Sequence, residues 1–196
     1  MSTIALLPMK AHSERVSGKN FKDLAGKPLF RWILDSLLQV DAIDNIVINT
    51  DASETLAQHG LISGDRIIIR ERRPEICGDH VSMNLIIQDD IQAVNGDQYV
   101  MTHTTNPLLK MKTIEDALNQ YKDATLSNNA DSLFGVTKHQ TRFYTGSGAA
   151  LNHDPNNLIR TQDLEPWYEE NSCIYIFNKE SFGRTGARIG SKPMLL

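Results

Sequence analysis

Two cysteines in 196 residues, Cys77 and Cys173, are too few for a disulfide-stapled framework. Their wide separation and the absence of a secretory signal favour two reduced thiols in a cytoplasmic protein. No Cys/His spacing of the structural-zinc kind is present. No apolar run approaches the roughly eighteen residues of a membrane-spanning helix. The opening MSTIALLPMK carries a short apolar stretch with no basic segment before it, which reads as a buried strand and not as a signal peptide. Charge of neither sign dominates: 20 Lys and Arg stand against 24 Asp and Glu, for a net charge of -4. That balance argues against a broad nucleic-acid surface and leaves room for a local basic pocket. Internal repeats, low-complexity tracts and a clear linker are all lacking, so residues 1–196 read as one domain of ordinary composition.

What is there alternates. Short apolar runs at Thr3–Leu7, Asn45–Thr50, Ile67–Ile69, Gln98–Thr102, Ser132–Val136 and Cys173–Phe177 read as strands. Helical spacing marks Leu29–Val40, Glu54–His59, Ser82–Val94 and Thr113–Leu126, with Asp51 and Ser53 as candidate caps of the second helix. This order predicts an α/β fold with an open, mostly parallel sheet and helices on both faces. Ligands of such sheets bind beyond the carboxyl ends of the strands, so the loops after Leu7, Ile48, Ile69 and Met101 should open onto one edge. Residues 137–171 break the alternation and are expected to form an excursion or arm. Asp89 and Asp90 fall inside a predicted helix and read as a solvated face.

The most informative stretch is Pro8-Met9-Lys10-Ala11-His12-Ser13-Glu14-Arg15-Val16-Ser17-Gly18-Lys19-Asn20. It gathers Lys10, Arg15 and Lys19 into one connection after a strand, where cations and loop N–H groups can neutralise a triphosphate. It is not a P-loop, because GxxxxGK[ST] is absent. On composition alone, a solvated loop with scattered charge explains it at least as well.

This segment resembles the nucleotide-binding signature of acylneuraminate cytidylyltransferases, P-A-R-x-x-S-K-x-x-x-x-K-N, through Pro8, Ser13, Lys19 and Asn20. Lys10 stands where the family has Arg, and Glu14 where it often has Lys; Arg15 is the candidate replacement for that charge. The next residues, Leu24-Ala25-Gly26-Lys27-Pro28-Leu29, match L-x-G-K-P-L. Further on, Asn49-Thr50-Asp51 resembles S-T-D, with Asp51 favoured as a helix cap. Arg72-Arg73-Pro74-Glu75-Ile76-Cys77-Gly78-Asp79-His80-Val81-Ser82 resembles R-P-x-x-L-x-x-D-x-x-S. Either Arg72 or Arg73 matches the family arginine, and a guanidinium suits a nucleotide or phosphate contact. Ser82 is equally suited to touching nucleotide and to starting a helix.

His103-Thr104-Thr105-Asn106-Pro107-Leu108 occupies the place of Q-P-T-S-P-L, and Asp131-Ser132 resembles D-S-x-x-S-V, where a turn or cap is preferred. The pair Arg160-Thr161-Gln162-Asp163-Leu164-Glu165-Pro166 and Asn171-Ser172-Cys173-Ile174-Tyr175 resembles R-x-Q-x-L-x-P and N-G-A-I-Y.

The resemblance implies a Rossmann-like nucleotidyltransferase sheet and transfer of CMP from CTP to an acidic nine-carbon sugar with release of pyrophosphate. It implies nucleotide contacts from Lys10, Ser13, Arg15, Lys19, Asn20, Arg72, Arg73 and Ser82. It implies sugar contacts from His103, Arg160, Gln162, Asn171 and Tyr175, although Tyr175 reads equally as a core strand residue. Mg2+ is the expected cofactor, a homodimer joined through an arm within 137–171 the expected assembly. Family members carry a D-x-D pair beyond a segment like Ile189-Gly190-Ser191-Lys192-Pro193, and none follows here. The C-terminal end of the family domain is therefore expected to be missing, the metal ligands are unassigned, and a nucleotide- or sugar-binding relative without turnover is a competing expectation. A transferase using another base or a sugar phosphate is a third, against which the Arg160 and Asn171 segments speak. No Ser/His/Asp or Cys/His arrangement suggests a covalent intermediate.

Overall fold

The computed structural model describes residues 1–196. Its sheet follows from period-two burial. In β1 (Thr3–Leu6), Ile4 and Leu6 face one apolar cluster, while Ala5 and the following Leu7 face another. After it come a two-stranded hairpin, β2 (Asp23–Leu24) and β3 (Lys27–Pro28), and α1 (Leu29–Leu38). The hairpin turn needs positive φ at both central residues, and Ala25 (52°) and Gly26 (94°) supply it. The two-faced pattern returns in β4 (Asn45–Thr50), where Val47 opposes Ile46 and Ile48. After α2 (Ser53–Gln58), β5 (Ile67–Glu71) and α3 (Met83–Ala93), it appears again in β6 (Gln98–Thr102), where Val100 opposes Tyr99 and Met101.

Strands apolar on both faces must be covered on both faces. Phe30, Ile33, Leu34 and Leu37 of α1, Leu56 of α2, and Ile114, Leu118 and Tyr121 of α4 (Met111–Leu126) cover one side. Ile87 and Ile91 of α3 cover the other, together with Phe182 of the later helix at Lys179–Thr185. The remaining strands are β7 (Ser132–His139), β8 (Trp167–Phe177) and β9 (Pro193–Leu195), and the helix at 179–185 is α5.

The sheet order is β5-β4-β1-β6-β8-β7-β9. β1 pairs in parallel with both β4 and β6, and β4 with β5. β8 runs antiparallel to β6 and to β7, and β9 is parallel to β7, so β8 alone opposes the rest. The chain winds outward from β1 through β4 to β5, then returns to the other flank of β1 as β6. That reversal creates a crevice at the carboxyl ends of β1 and β6. The expected open, mostly parallel sheet with helices on both faces is what forms, and it is Rossmann-like. No helix is long and apolar enough to cross a membrane.

Residues 137–171 leave the strand–helix alternation as an arm. β7 and β8 continue past the sheet as a ribbon, with a register shift between Phe134 and Val136 and pairing out to His139 opposite Trp167. Phe143 stacks on Trp167 at 5.3 Å between centroids, and Tyr144 bridges to Ala150 at the tip.

Asp131 does more than cap a turn. Its carboxylate accepts from the N–H groups of Ser191 (3.0 Å) and Lys192 (2.9 Å) and from Arg184 Nη2 (3.1 Å), which fastens the segment leading into β9. Burial opposes its ionisation, but the N–H donors of Lys192 and Ser191 and the Arg184 guanidinium outweigh this and hold the carboxyl below its usual range. The fit is close: a Cβ on Gly190 would lie 2.2 Å from Asp131 Oδ1. Asp131→Ala should therefore cost about 2–3 kcal/mol in urea unfolding, because several backbone donors lose a charged acceptor. Amide exchange should show the loss concentrated at residues 190–196.

Candidate functional site

A cavity of about 220 Å³ opens at the crevice between β1 and β6. Its wall takes Pro8, Met9, Lys10, Ser13, Lys19 and Asn20 from the β1 loop, Arg72 from beyond β5, and His103, Thr104 and Thr105 from beyond β6. Asp79, on the turn after the 3-10 segment Pro74–Ile76, completes the rim.

Two buried side chains hold these loops together. Asn20, 5% exposed, donates from Nδ2 to the Lys10 carbonyl (2.8 Å) and accepts at Oδ1 from Thr104 Oγ1 (2.7 Å), joining the β1 loop to the β6 loop. Arg72, also 5% exposed, donates from Nη2 to the carbonyls of Met9 (3.1 Å) and Asn49 (2.8 Å) and from Nε to Asn49 Oδ1 (2.9 Å). Of the two arginines, Arg72 lines the cavity, whereas Arg73 lies largely in solvent and pairs with Asp89 at 2.8 Å.

The cations crowd one another. Lys19 is pushed below the ordinary lysine range, first by burial and then by Arg15 and Lys10. Lys10 pairs with Asp79, and that bond holds the Asp79 carboxyl below its usual range. His103 is pushed down to about 4, by burial first and then by Arg188 and Lys19, with Glu170 opposing. Its imidazole is neutral at neutral pH, with one donor and one acceptor, as a glutamine amide would have.

Several expected site residues lie elsewhere. Arg15 is exposed and off the cavity wall, reaching Lys19 only through its field. Ser82 caps α3, accepting from Asn84 N (3.3 Å), and lines a neighbouring cavity with Glu170 and Arg188. Arg160 is on the arm, exposed and paired with Asp163 (2.7 and 3.0 Å). Gln162 is exposed beside it in the 3-10 turn Thr161–Asp163. Asn171 spends its Oδ1 on the N–H of Cys173 (3.0 Å). Tyr175 is fully buried in the core, as the strand reading had it, with Arg188 stacked on its ring at 3.8 Å. None of these four lines either cavity.

Two readings of carboxylates need correction. Asp51 does not cap α2, whose N-cap position is Ala52; its Oδ1 accepts from Ala11 N (2.7 Å) and so steadies the β1 loop. Ser53 does not cap α2 either and bonds Glu71. Asp89 and Asp90 are in a helix as expected but are 7% and 1% exposed, not solvated. Arg70 pairs with both, Arg73 with Asp89, and Asn49 Nδ2 reaches Asp90 Oδ1 at 2.8 Å and Asp89 Oδ2 at 3.3 Å. These partners come from strands far away in sequence, which a helical pattern does not disclose. Asp79 and Arg188 were not singled out by the sequence reading. Asp79 is the aspartate of the R-P-x-x-L-x-x-D stretch and was visible there; Arg188 follows a helix that the periodicity did not mark.

An open α/β sheet with a cation-lined cavity at its switch point belongs to the Rossmann-like class that takes a ligand at that place. The family is narrower than the class. The cytidylyltransferase family model matches residues 4–192, and the chain belongs to that family. It is 30% identical over 190 residues to an N-acylneuraminate cytidylyltransferase of Streptococcus agalactiae, a match covering 94% of this chain and 45% of the relative. The chain thus spans about half the length of that relative. A pseudaminic acid cytidylyltransferase of Campylobacter jejuni is 23% identical over 186 residues, covering 89% and 78%. A CMP-N,N'-diacetyllegionaminic acid synthase of Legionella pneumophila is 27% identical over 213 residues, covering 100% and 87%. Among solved structures, CMP:2-keto-3-deoxy-manno-octonic acid synthetase complexed with CTP superposes with a TM-score of 0.66 at 17% identity, covering 92% of this chain and 75% of the other. That likeness is one of fold.

Two buried groups should give opposite pH signatures. His103 titrates lower in the fold than when unfolded, so its contribution to stability is lost as pH falls from about 6.5 towards 4. Asp90 is raised to about 6, by burial first, so its contribution is present below about 4 and lost as pH rises through 6. Each spans on the order of 3 kcal/mol, and in the native chain they oppose each other. Against wild type, His103→Gln should gain stability on acidification and Asp90→Asn on raising pH, read by thermal melts between pH 4.5 and 7.5.

Proposed function

We propose that this chain provides the nucleotide site of a cytidylyltransferase that joins CMP from CTP to an acidic nine-carbon sugar and releases pyrophosphate. The observation that carries the reading is the convergence of Lys10, Lys19 and Arg72 on one cavity at the sheet's switch point, in a member of the cytidylyltransferase family. The sugars named in the relatives are N-acylneuraminate, pseudaminic acid and diacetyllegionaminic acid, and we carry the acidic class over to this chain.

In this reaction the anomeric hydroxyl of the sugar attacks the α-phosphorus of CTP, and the bond to the β-phosphate oxygen breaks. Lys10 and Lys19 would hold the triphosphate and meet the charge gathering on pyrophosphate, with Ser13 and the loop N–H groups beside them. Binding would draw Lys10 from Asp79 to phosphate. Arg72 would fix the nucleotide, and neutral His103 would contact the sugar without adding charge. Arg15 would act at longer range.

Mg2+ belongs to the proposal as a companion of the triphosphate. Asp79 is the single carboxylate on the cavity wall and is engaged by Lys10, and no group of three or more His, Cys, Asp or Glu side chains could hold a metal ion. These residues alone do not make a magnesium site. The same poverty of carboxylates favours a second reading, in which this stretch binds nucleotide without turning it over.

Pyrophosphate release from CTP and Mg2+ with a panel of acidic nine-carbon sugars decides between them. Release dependent on CTP and one sugar, and abolished by EDTA, is the expected result; CTP binding without release would select the second reading. Lys19→Ala should lower kcat/KM about a hundredfold, since a phosphate-facing cation is lost.

We further propose that two copies pair through the arm, in a cytoplasmic setting that suits the two free thiols. The arm exposes Tyr144, Leu151, Leu158, Ile159, Trp167 and Tyr168, more apolar surface than a lone ribbon leaves in water. Arg160 and Gln162, remote from their own cavity, would then approach the sugar bound to the second copy. Sedimentation should give a dimer mass, and Leu158→Asp with Ile159→Asp a monomer.

A further inference from the structure

Beneath the cavity lies a buried charge network that the proposed reaction does not use. Asp89 and Asp90 of α3 meet Arg70 from β5, Arg73 beyond it, and Asn49 from β4. As a stabilising device it is poorly made. Burying charges costs more than the pairing returns unless every atom is satisfied, yet Asp90 Oδ2 is buried without any partner. An apolar pair on this face of α3 would serve packing better.

The network has one outlet. Asn49 donates its Nδ2 to the two carboxylates, and that fixes its Oδ1 towards Arg72 Nε at 2.9 Å. An asparagine amide has one donor end and one acceptor end, so two carboxylates on one side leave it a single orientation. Arg72 Nη2 is spent on the Met9 and Asn49 carbonyls, and Nη1 alone has no partner within the chain. The guanidinium that lines the cavity is thus locked at two of its three nitrogens.

We infer that Asn49 and Asp90 are positioning residues: the carboxylate orients the Asn49 amide, and the amide aims Arg72 at the nucleotide. The inference rests on the nucleotide reading of the cavity. It explains why two carboxylates are held out of water behind a site that itself needs cations. They stand two residues back from the ligand, behind Asn49 and Arg72, so they orient Arg72 without placing a negative charge on the cavity wall.

The test is a double-mutant cycle on the full chain, read by CTP binding in calorimetry. Asn49→Ala should weaken CTP about tenfold and Arg72→Ala more, while the double variant should be no weaker than Arg72→Ala alone. Asp90→Ala, which removes the acceptor that orients the Asn49 amide, should weaken CTP less than Asn49→Ala does and should add nothing when combined with it. A nitrogen-15 spectrum supplies a readout without ligand: the Arg72 Nε–H should exchange slowly in wild type and rapidly in Asn49→Ala. Additive losses in the double variant, or a protected Nε–H in Asn49→Ala, would overturn the positioning role while CTP binding stands. A wild-type chain with a protected Nε–H and no affinity for CTP would instead bring down the nucleotide reading, and with it the purpose given to Asn49 and Asp90.

Discussion

Arg72 Nη2 lies between two carbonyl oxygens, those of Met9 and Asn49, and the geometry of the cavity depends on that bifurcated contact. Met9 stands just beyond β1, Asn49 near the end of β4 and Arg72 just beyond β5, so one guanidinium closes the carboxyl ends of three neighbouring strands. The Asn49 carbonyl already accepts from Met9 N (3.0 Å), and Arg72 Nη2 takes its second lone pair while also reaching the Met9 carbonyl, so the arginine reinforces the join between the β1 and β4 ends. Asn20 does the corresponding work on the other flank by joining the Lys10 carbonyl to Thr104 beyond β6. Between these two ties the β1 loop has little freedom, and Lys10, Ser13 and Lys19 are presented to a common space.

That space is locally positive in a chain whose net charge is negative. The loop's cations have carboxylates beside them: Asp79 pairs with Lys10, and Asp51 reaches the same loop through Ala11 N. Gly78, with φ of 116°, provides the backbone conformation of the turn that presents Asp79. A polyanion entering the cavity would replace the carboxylate at Lys10 and relieve the mutual repulsion that lowers Lys19.

The legible parts of this molecule were those set by local pattern. β4 and β6 formed where expected, because a strand covered on both faces carries a continuous apolar run at its centre, Ile46–Ile48 and Tyr99–Met101. The β1 loop stood out because its cations are adjacent in sequence. What escaped was set at a distance. α5 is seven residues long and owes its start to an Asn178–Ser181 capping box, and β9 is led into place by Asp131, some sixty residues earlier, which accepts the N–H groups of Ser191 and Lys192 just before it. Asp89 and Asp90 looked like a solvated face because their arginines lie on β5 and just after it. The motif containing Arg160 and Gln162 was recognisable in order and spacing, yet order says nothing of reach, and the ribbon carries both away from the cavity of their own chain.

His103 shows how such distant contacts set chemistry. A histidine after a β-strand, beside lysines, would in water be partly protonated near neutrality and would add to the positive field. Here burial withholds solvent from the charged form, and Arg188, lodged on the Tyr175 ring and bonded to the Tyr175 hydroxyl (2.9 Å) and Glu170 (3.1 Å), disfavours a second cation beside it. Arg188 can stay there because it is itself matched: the aromatic face beneath it and the Glu170 carboxylate take up its charge. The imidazole is left uncharged on a wall that also carries Lys10, Lys19 and Arg72. It can donate to one oxygen and accept from one hydroxyl without adding to the positive field of the lysines beside it.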